Sequence, residues 1–150
     1  MKRILLILLI ALTATLGRAQ DALFSKYENT PGVETVFVSK AMFRMMPNLR
    51  VGPKNIGKIV SKLDRLQILN CERPSMVKAI ADNAAAIYRR EHYEIVMQAN
   101  SDGERTTIYM KSRGHGKNEF ALLNVEKDEV SIINILGNVS LEDIKQITDD

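Results

Sequence analysis

The sequence has one cysteine, Cys71, and two histidines, His92 and His115. A single cysteine excludes an intramolecular disulfide. In an exported chain an odd thiol is either a buried inert group or an intermolecular bridge; burial is the expectation, because a free cysteine packs as a small apolar residue. No two of Cys71, His92 and His115 stand at a metal-ligand spacing, so no zinc site is expected. Met42, Met45 and Met46 sit at i, i+3, i+4 and offer thioethers to a soft ion such as Cu(I). Methionines at helical spacing more commonly fill a core. There is no G-x-S-x-G nucleophile elbow and no protease-like context around Cys71. A dyad of Cys71, Ser75 or Ser112 with a histidine has no local support. The acid pairs Glu126 with Asp128 and Glu142 with Asp143 are explained by turn and helix-dipole chemistry. No catalytic, cofactor or metal residue is therefore assigned.

Long apolar runs are also scarce. The one that exists is N-terminal: Met1-Lys2-Arg3 precedes thirteen residues, Ile4 to Leu16, and Gly17-Arg18-Ala19 follows. A basic start, a short apolar core and small residues at minus three and minus one are the layout of a secretory signal peptide. The run is shorter than the ~20 residues a membrane span needs. The expectation is a signal peptide over 1–19, cleaved after Ala19 (cleavage after Gln20 is the rival), and a single domain over 20–150. No cysteine follows the apolar core, so no lipid anchor is read there.

An excess of one charge is absent once the leader is set aside. The whole chain has 21 Lys+Arg against 18 Asp+Glu, and Lys2, Arg3 and Arg18 belong to the leader, which leaves 18 against 18. The basic isoelectric point is then partly a property of the targeting segment, and a nucleic-acid partner has no compositional support. No transmembrane segment is expected after the leader. The remaining 131 residues suit one domain with its own core. There is no repeat, low-complexity tract or linker.

What is present is organised around Glu119–Val139. Apolar runs Phe120–Val125 and Val130–Leu136 flank the charged Glu126–Glu129, which predicts a β-hairpin. Val130, Ile132 and Leu136 fall on one side of the second arm, and Ile133 and Ile135 on the other. A strand apolar on both faces is covered on both, so this hairpin should be the centre of the sheet. Upstream, the pattern predicts a short helix over 21–29 with Asp21 as its cap, a strand over 33–40, helical turns over 41–46 and a helix over 54–63 on the stripe Ile56, Ile59, Val60, Leu63. A strand over 66–71 follows, then a helix over 73–90 with Pro74 in its first turn. Tyr93–Ala99 and Arg105–Lys111 form a hairpin around Asp102-Gly103; Tyr93, Ile95, Met97 and Ala99 are read on one face of its first arm. Ser140 caps a last helix, with Asp143 three residues on as an acidic capping box; Leu141, Ile144 and Ile147 form its buried side. Strands segregate late in the chain. The expectation is an α+β single domain, a mostly antiparallel sheet of about six strands with helices packed on it.

The most distinctive polar stretch is Lys111-Ser112-Arg113-Gly114-His115-Gly116-Lys117. Three cations and two glycines in seven residues suit an anion or an acidic partner, although the phosphate-loop pattern is missing. Lys111, Arg113, His115 and Lys117 are the candidate contacts; the alternative is a solvated loop.

Val36–Pro47, Ile56–Cys71 with Glu72-Arg73-Pro74, and Lys117–Ile144 resemble a family of exported Bacteroidetes proteins catalogued as domain of unknown function 4252. The resemblance carries no activity or catalytic residues. Its members are often encoded near extracytoplasmic-function sigma and anti-sigma factors, which implies envelope signalling. It also implies localisation to the periplasm or cell exterior. The resulting expectation is a non-enzymatic binding or regulatory component of the envelope with an envelope protein as partner. Two alternatives stay open: a periplasmic hydrolase or transferase with a cleft near His115 or Cys71, and a lipid or small-ligand carrier built on Met42–Met46.

Overall fold

The structure, a computed structural model, describes residues 19–46, 48, 50–51, 54–55 and 57–148. Residues 1–18 of the leader, Pro47, Gly52, Pro53 and Ile56 lie outside the described residues, as does the side chain of Ile147.

Six strands form one antiparallel sheet. In chain order they are β1 (Val33–Ser39), β4 (Leu63–Cys71), β5 (Glu94–Ser101), β6 (Glu104–Gly114), β7 (Lys117–Val125) and β8 (Val130–Gly137), arranged β1-β4-β8-β7-β6-β5. β7 and β8 are therefore the two central strands. A second, two-stranded ladder pairs β2 (Arg50–Val51) with β3 (Lys54–Asn55).

Strand periodicity divides the core into two halves. On one face Leu69, Cys71, Val130, Ile132, Ala121 and Leu123 pack against α1 (Ala19–Tyr27) and α4 (Pro74–Arg90), through Leu23, Ile80, Ala84 and Tyr88 among others. On the other, Leu66, Ile108, Phe120, Leu122 and Ile135 pack under α2 (Lys40–Met45), α3 (Gly57–Val60) and α5 (Leu141–Thr148), through Phe43, Ile59, Val60 and Ile144. Helices thus cover both faces, as the apolar character of β8 demands. Cys71 is buried in the first half. Ser140 and Asp143 close a reciprocal cap: Ser140 N donates to Asp143 Oδ2 at 2.9 Å, and Asp143 N to Ser140 Oγ at 3.2 Å.

Three local expectations are corrected. The helix over 54–63 shrinks to Gly57–Val60, with Lys54–Asn55 in a ladder and Leu63 opening β4. The apolar stripe was real, since Ile59, Val60 and Leu63 share one core; a turn closed by Lys62 N donating to Ile59 O at 2.8 Å, not a continuous helix, delivers them there. Next, Tyr93–Ala99 does not alternate simply. A bulge between Ile95 and Met97 puts Val96 and Met97 against the same core half and leaves Ile95 exposed. Finally, Asp21 lies inside the first turn of α1 rather than capping it.

Candidate functional site

The basic stretch 111–117 is not an open loop. β6 runs to Gly114 and β7 starts at Lys117, so only His115 and Gly116 turn the chain. Both have positive φ, 55° and 75°, as a tight two-residue hairpin requires. The cations reach groups of their own chain. Lys111 Nζ donates to the Glu91 carbonyl at 2.7 Å and lies 5.4 Å from the Tyr93 ring centroid. Arg113 Nε donates to Glu119 Oε2 at 2.6 Å, and its Nη2 to Tyr93 OH at 3.0 Å. Lys117 pairs with Asp64, which Lys40 also meets at 3.0 Å. Burial works against the Arg113 charge, but the Glu119 carboxylate and the Tyr93 hydroxyl outweigh it and hold its pKa above the ordinary arginine value. The hydrogen bond from Lys117 leads the forces that hold the Asp64 carboxyl below the usual range. His115 is exposed on the turn.

Cys71 and the two histidines are not brought together. Cys71 pairs with Val33 and Val130 at one end of the sheet. His115 turns the chain at the other end, where Leu63 pairs with Gly137, and His92 lies just before β5 on that same side. Among the described residues no group of three His, Cys, Asp or Glu side chains is placed to hold a metal ion. A groove of about 610 Å³ between α4 and the β5–β6 hairpin, lined in part by Ala81, Arg89, Arg105 and Tyr109, contains none of Cys71, His92 and His115. No described helix is long and apolar enough to cross a membrane.

The sheet register assembles a polar group the sequence reading did not single out. Gln67 and Asn134 are direct cross-strand partners, and Arg65 and Glu119 both pair with Leu136. All four lie on the α1 side of the sheet by strand alternation. Glu119, Asn134 and Gln67 are buried. Asn134 Nδ2 donates to Glu119 Oε1 at 3.0 Å; Arg65 Nη2 stands 3.6 Å from that oxygen, and Arg65 Nη1 reaches Asp21 at 3.3 Å. Among the described residues, three buried side-chain atoms carry no hydrogen bond: Arg65 Nε, Gln67 Oε1 and Asn134 Oδ1. Buried polar atoms are nearly always paired, so this corner has unused capacity for hydrogen bonding. The signal in the sequence was a single amide inside each of two apolar strands, Gln67 in Leu66–Leu69 and Asn134 in Ile132–Leu136.

The open edge nearest that corner is β1. It pairs with β4 over all seven of its residues in unbroken register, and its other side faces no described strand. Phe37 is 62% and Val36 50% exposed, and Met42, Met45 and Met46 of the following segment are exposed beside them in sequence.

Searches of curated proteins and of solved structures return no match to the chain. The family model described as "Domain of unknown function (DUF4252)" matches residues 27–147, a span from the end of α1 into α5 that holds the whole six-stranded sheet. With that span covering most of its length, the chain belongs to the DUF4252 family.

Proposed function

We propose that this protein is a non-enzymatic binding or regulatory component of the bacterial envelope, and that it docks an envelope protein along the open edge of β1. The exposure of Phe37 and Val36 on an open edge carries the reading. Edge strands are ordinarily guarded by a bulge, an inward charge, lysine or proline. The opposite edge, β5, has a bulge. β1 has no bulge, contains neither lysine nor proline, carries the exposed Glu34 as its one charge, and presents apolar side chains to both sheet faces. An extended segment adding to such an edge gains main-chain hydrogen bonds and side-chain contacts together. The family resemblance extends the proposal to extracytoplasmic-function sigma and anti-sigma signalling.

The structure favours docking over the two alternatives. Cys71 is buried away from both histidines. Met42, Met45 and Met46 are exposed and line none of the described grooves. A photo-crosslinking residue placed at Phe37 in the full chain, expressed in its own host, tests the proposal. The expected result is one adduct with an envelope protein, absent when the residue is placed at Ile95 and lost when Val36→Lys is added. Equal labelling from both edges, or an adduct indifferent to Val36→Lys, overturns it.

A further inference from the structure

We infer that the groove between α4 and the β5–β6 hairpin binds a small amphipathic carboxylate. Its acid head sits between Arg89 and the Tyr109 hydroxyl, and its apolar body lies along the alanine-lined floor. The site is at the sheet edge opposite β1 and does not depend on docking there.

The groove exists because α4 turns small residues toward the hairpin. Ala81 and Ala85 line it one helical turn apart, with Leu123 of β7 and Thr107 of β6 across from them. Its volume of about 610 Å³ falls within the range that holds small organic ligands.

Tyr109 is the polar group built into this floor. Strand alternation sets Arg105, Thr107 and Tyr109 on one face of β6, toward the groove. The Tyr109 ring is held against Tyr88 of α4, with centroids 4.6 Å apart. Only 8% of the residue is exposed, yet its hydroxyl makes no hydrogen bond among the described residues. Unlike Gln67 Oε1, that oxygen is not sealed from solvent, and the surface it keeps opens into the groove that the residue lines. Burial pushes the hydroxyl's pKa up and the Arg89 charge pulls the other way, so at neutral pH the group is a donor.

Arg89, in the last turn of α4, lines the same end. Its neighbour Arg90 meets Glu91 at 3.5 Å, but Arg89 has no ion-pair partner among the described residues. Two carboxylates line the groove, Asp82 and Glu126. Asp82 is matched by Lys78 and stands two turns, about 10 Å, along the helix from Arg89. Glu126 follows Val125, the partner of Arg105, and Arg105 is about 13 Å along β6 from Tyr109. The Arg89–Tyr109 end is therefore positive, with no acid in its wall. The β5 bulge completes it: Ile95, the cross-strand partner of Tyr109, is turned out onto the groove wall and left exposed.

A guanidinium and a phenol hydroxyl at one end of an apolar trough fit a carboxylate. It offers two acceptor oxygens and a charge opposite to that of Arg89, and hydrogen bonds to an ionised group are the strong ones. A cationic head is repelled by Arg89, and a neutral one leaves that charge unmatched. The body of the ligand covers Ala85, Leu123 and Ile95.

Isothermal titration of the full mature chain with decanoate, decanol and decylamine tests this. Decanoate is expected to bind about tenfold more tightly than decanol, and decylamine more weakly than either. Arg89→Gln is expected to lower decanoate affinity about tenfold and leave decanol unchanged, a split that a folding defect would not produce. Tyr109→Phe should lower decanoate affinity in the same selective way. Ala85→Leu should weaken both ligands by filling the floor, and Arg105→Gln, at the far end, should change neither. Arg89 is exposed, so its variant decides the matter even if a substitution at Tyr109 or Ala85 prevents folding. Equal affinity for decanoate and decanol, an equal loss in Arg89→Gln and Arg105→Gln, or no binding of decanoate overturns the inference. Crosslinking from Phe37 should be unchanged in Arg89→Gln, so failure here leaves the docking proposal standing.

Discussion

Arg113 and Glu119 face one another across the β6–β7 hairpin, with Nε donating to Oε2 at 2.6 Å. The carboxylate is essentially inaccessible, with 1% of its side chain exposed, against 23% for the guanidinium. Removing one partner of such a pair leaves the other less well compensated in a site shut off from water, which costs more than the pair contributes while intact. Glu119→Gln and Arg113→Gln are each expected to lower unfolding free energy by about 2–4 kcal/mol. The double variant should lose clearly less than the sum of the two. Urea denaturation of the four proteins checks this; strict additivity would show that the contact contributes nothing.

Two other carboxylates predict the shape of the acid limb. Hydrogen bonds from Lys117 to Asp64 and from Lys62 to Asp143, the latter at 2.8 Å, hold both carboxyls below their ordinary value of 3.8. A carboxyl whose folded pKa is lowered contributes stability that is complete above its unfolded pKa and is lost as pH falls through the folded one. Asp64→Asn/Asp143→Asn is expected to be about 1–2 kcal/mol less stable than the parent at pH 7. The gap should close as pH drops below about 4. Melting curves at stepped pH measure it, and a gap constant down to pH ~2 would rule out these two groups.

How much of this was legible in the sequence depends on range. The central place of β7 and β8 followed from Val130–Leu136 being apolar on both faces, since only cover on both sides satisfies that pattern. The Ser140–Asp143 cap was legible because its partners are three residues apart. The Gln67–Asn134 pairing was not, because it depends on the β4–β8 register across 67 positions of sequence. The basic stretch was visible as charge, but the acceptors it reaches, Glu91, Glu119 and Asp64, are chosen by sheet geometry. The β5 bulge escaped for a local reason: one extra residue reverses an alternation that composition alone leaves intact.

Gly137 marks a close backbone approach in the sheet. It pairs with Leu63, and a Cβ placed on it would stand 2.2 Å from the Lys62 carbonyl oxygen and 3.0 Å from Leu63 Cα. Both obstacles are backbone, so no rotamer change relieves them. That carbonyl also accepts from Asn138 N at 2.9 Å, which ties the end of β8 to the start of β4. Gly137→Ala is expected to destabilise by about 1–3 kcal/mol, with faster amide exchange at Asn138. A variant as stable as the parent would mean that the Lys62 segment yields freely.

Cys71 separates the docking reading from any thiol chemistry. It is 1% exposed among Val33, Leu69 and Val130, with no histidine near it in the register. A thiol shut away from water and from bases does not react as a nucleophile. In the native protein it is therefore expected to resist a thiol reagent such as dithionitrobenzoate and to react promptly in denaturant. Cys71→Ala leaves a small cavity and should cost about 1 kcal/mol. Cys71→Ser buries a hydroxyl without a partner and should cost about 1–3 kcal/mol. Crosslinking from Phe37 should survive Cys71→Ala, because the thiol lies beneath the sheet end opposite Ser39 and contributes nothing to the edge. Rapid modification of the folded protein, together with loss of partner capture in Cys71→Ala, would instead place the thiol at the working surface.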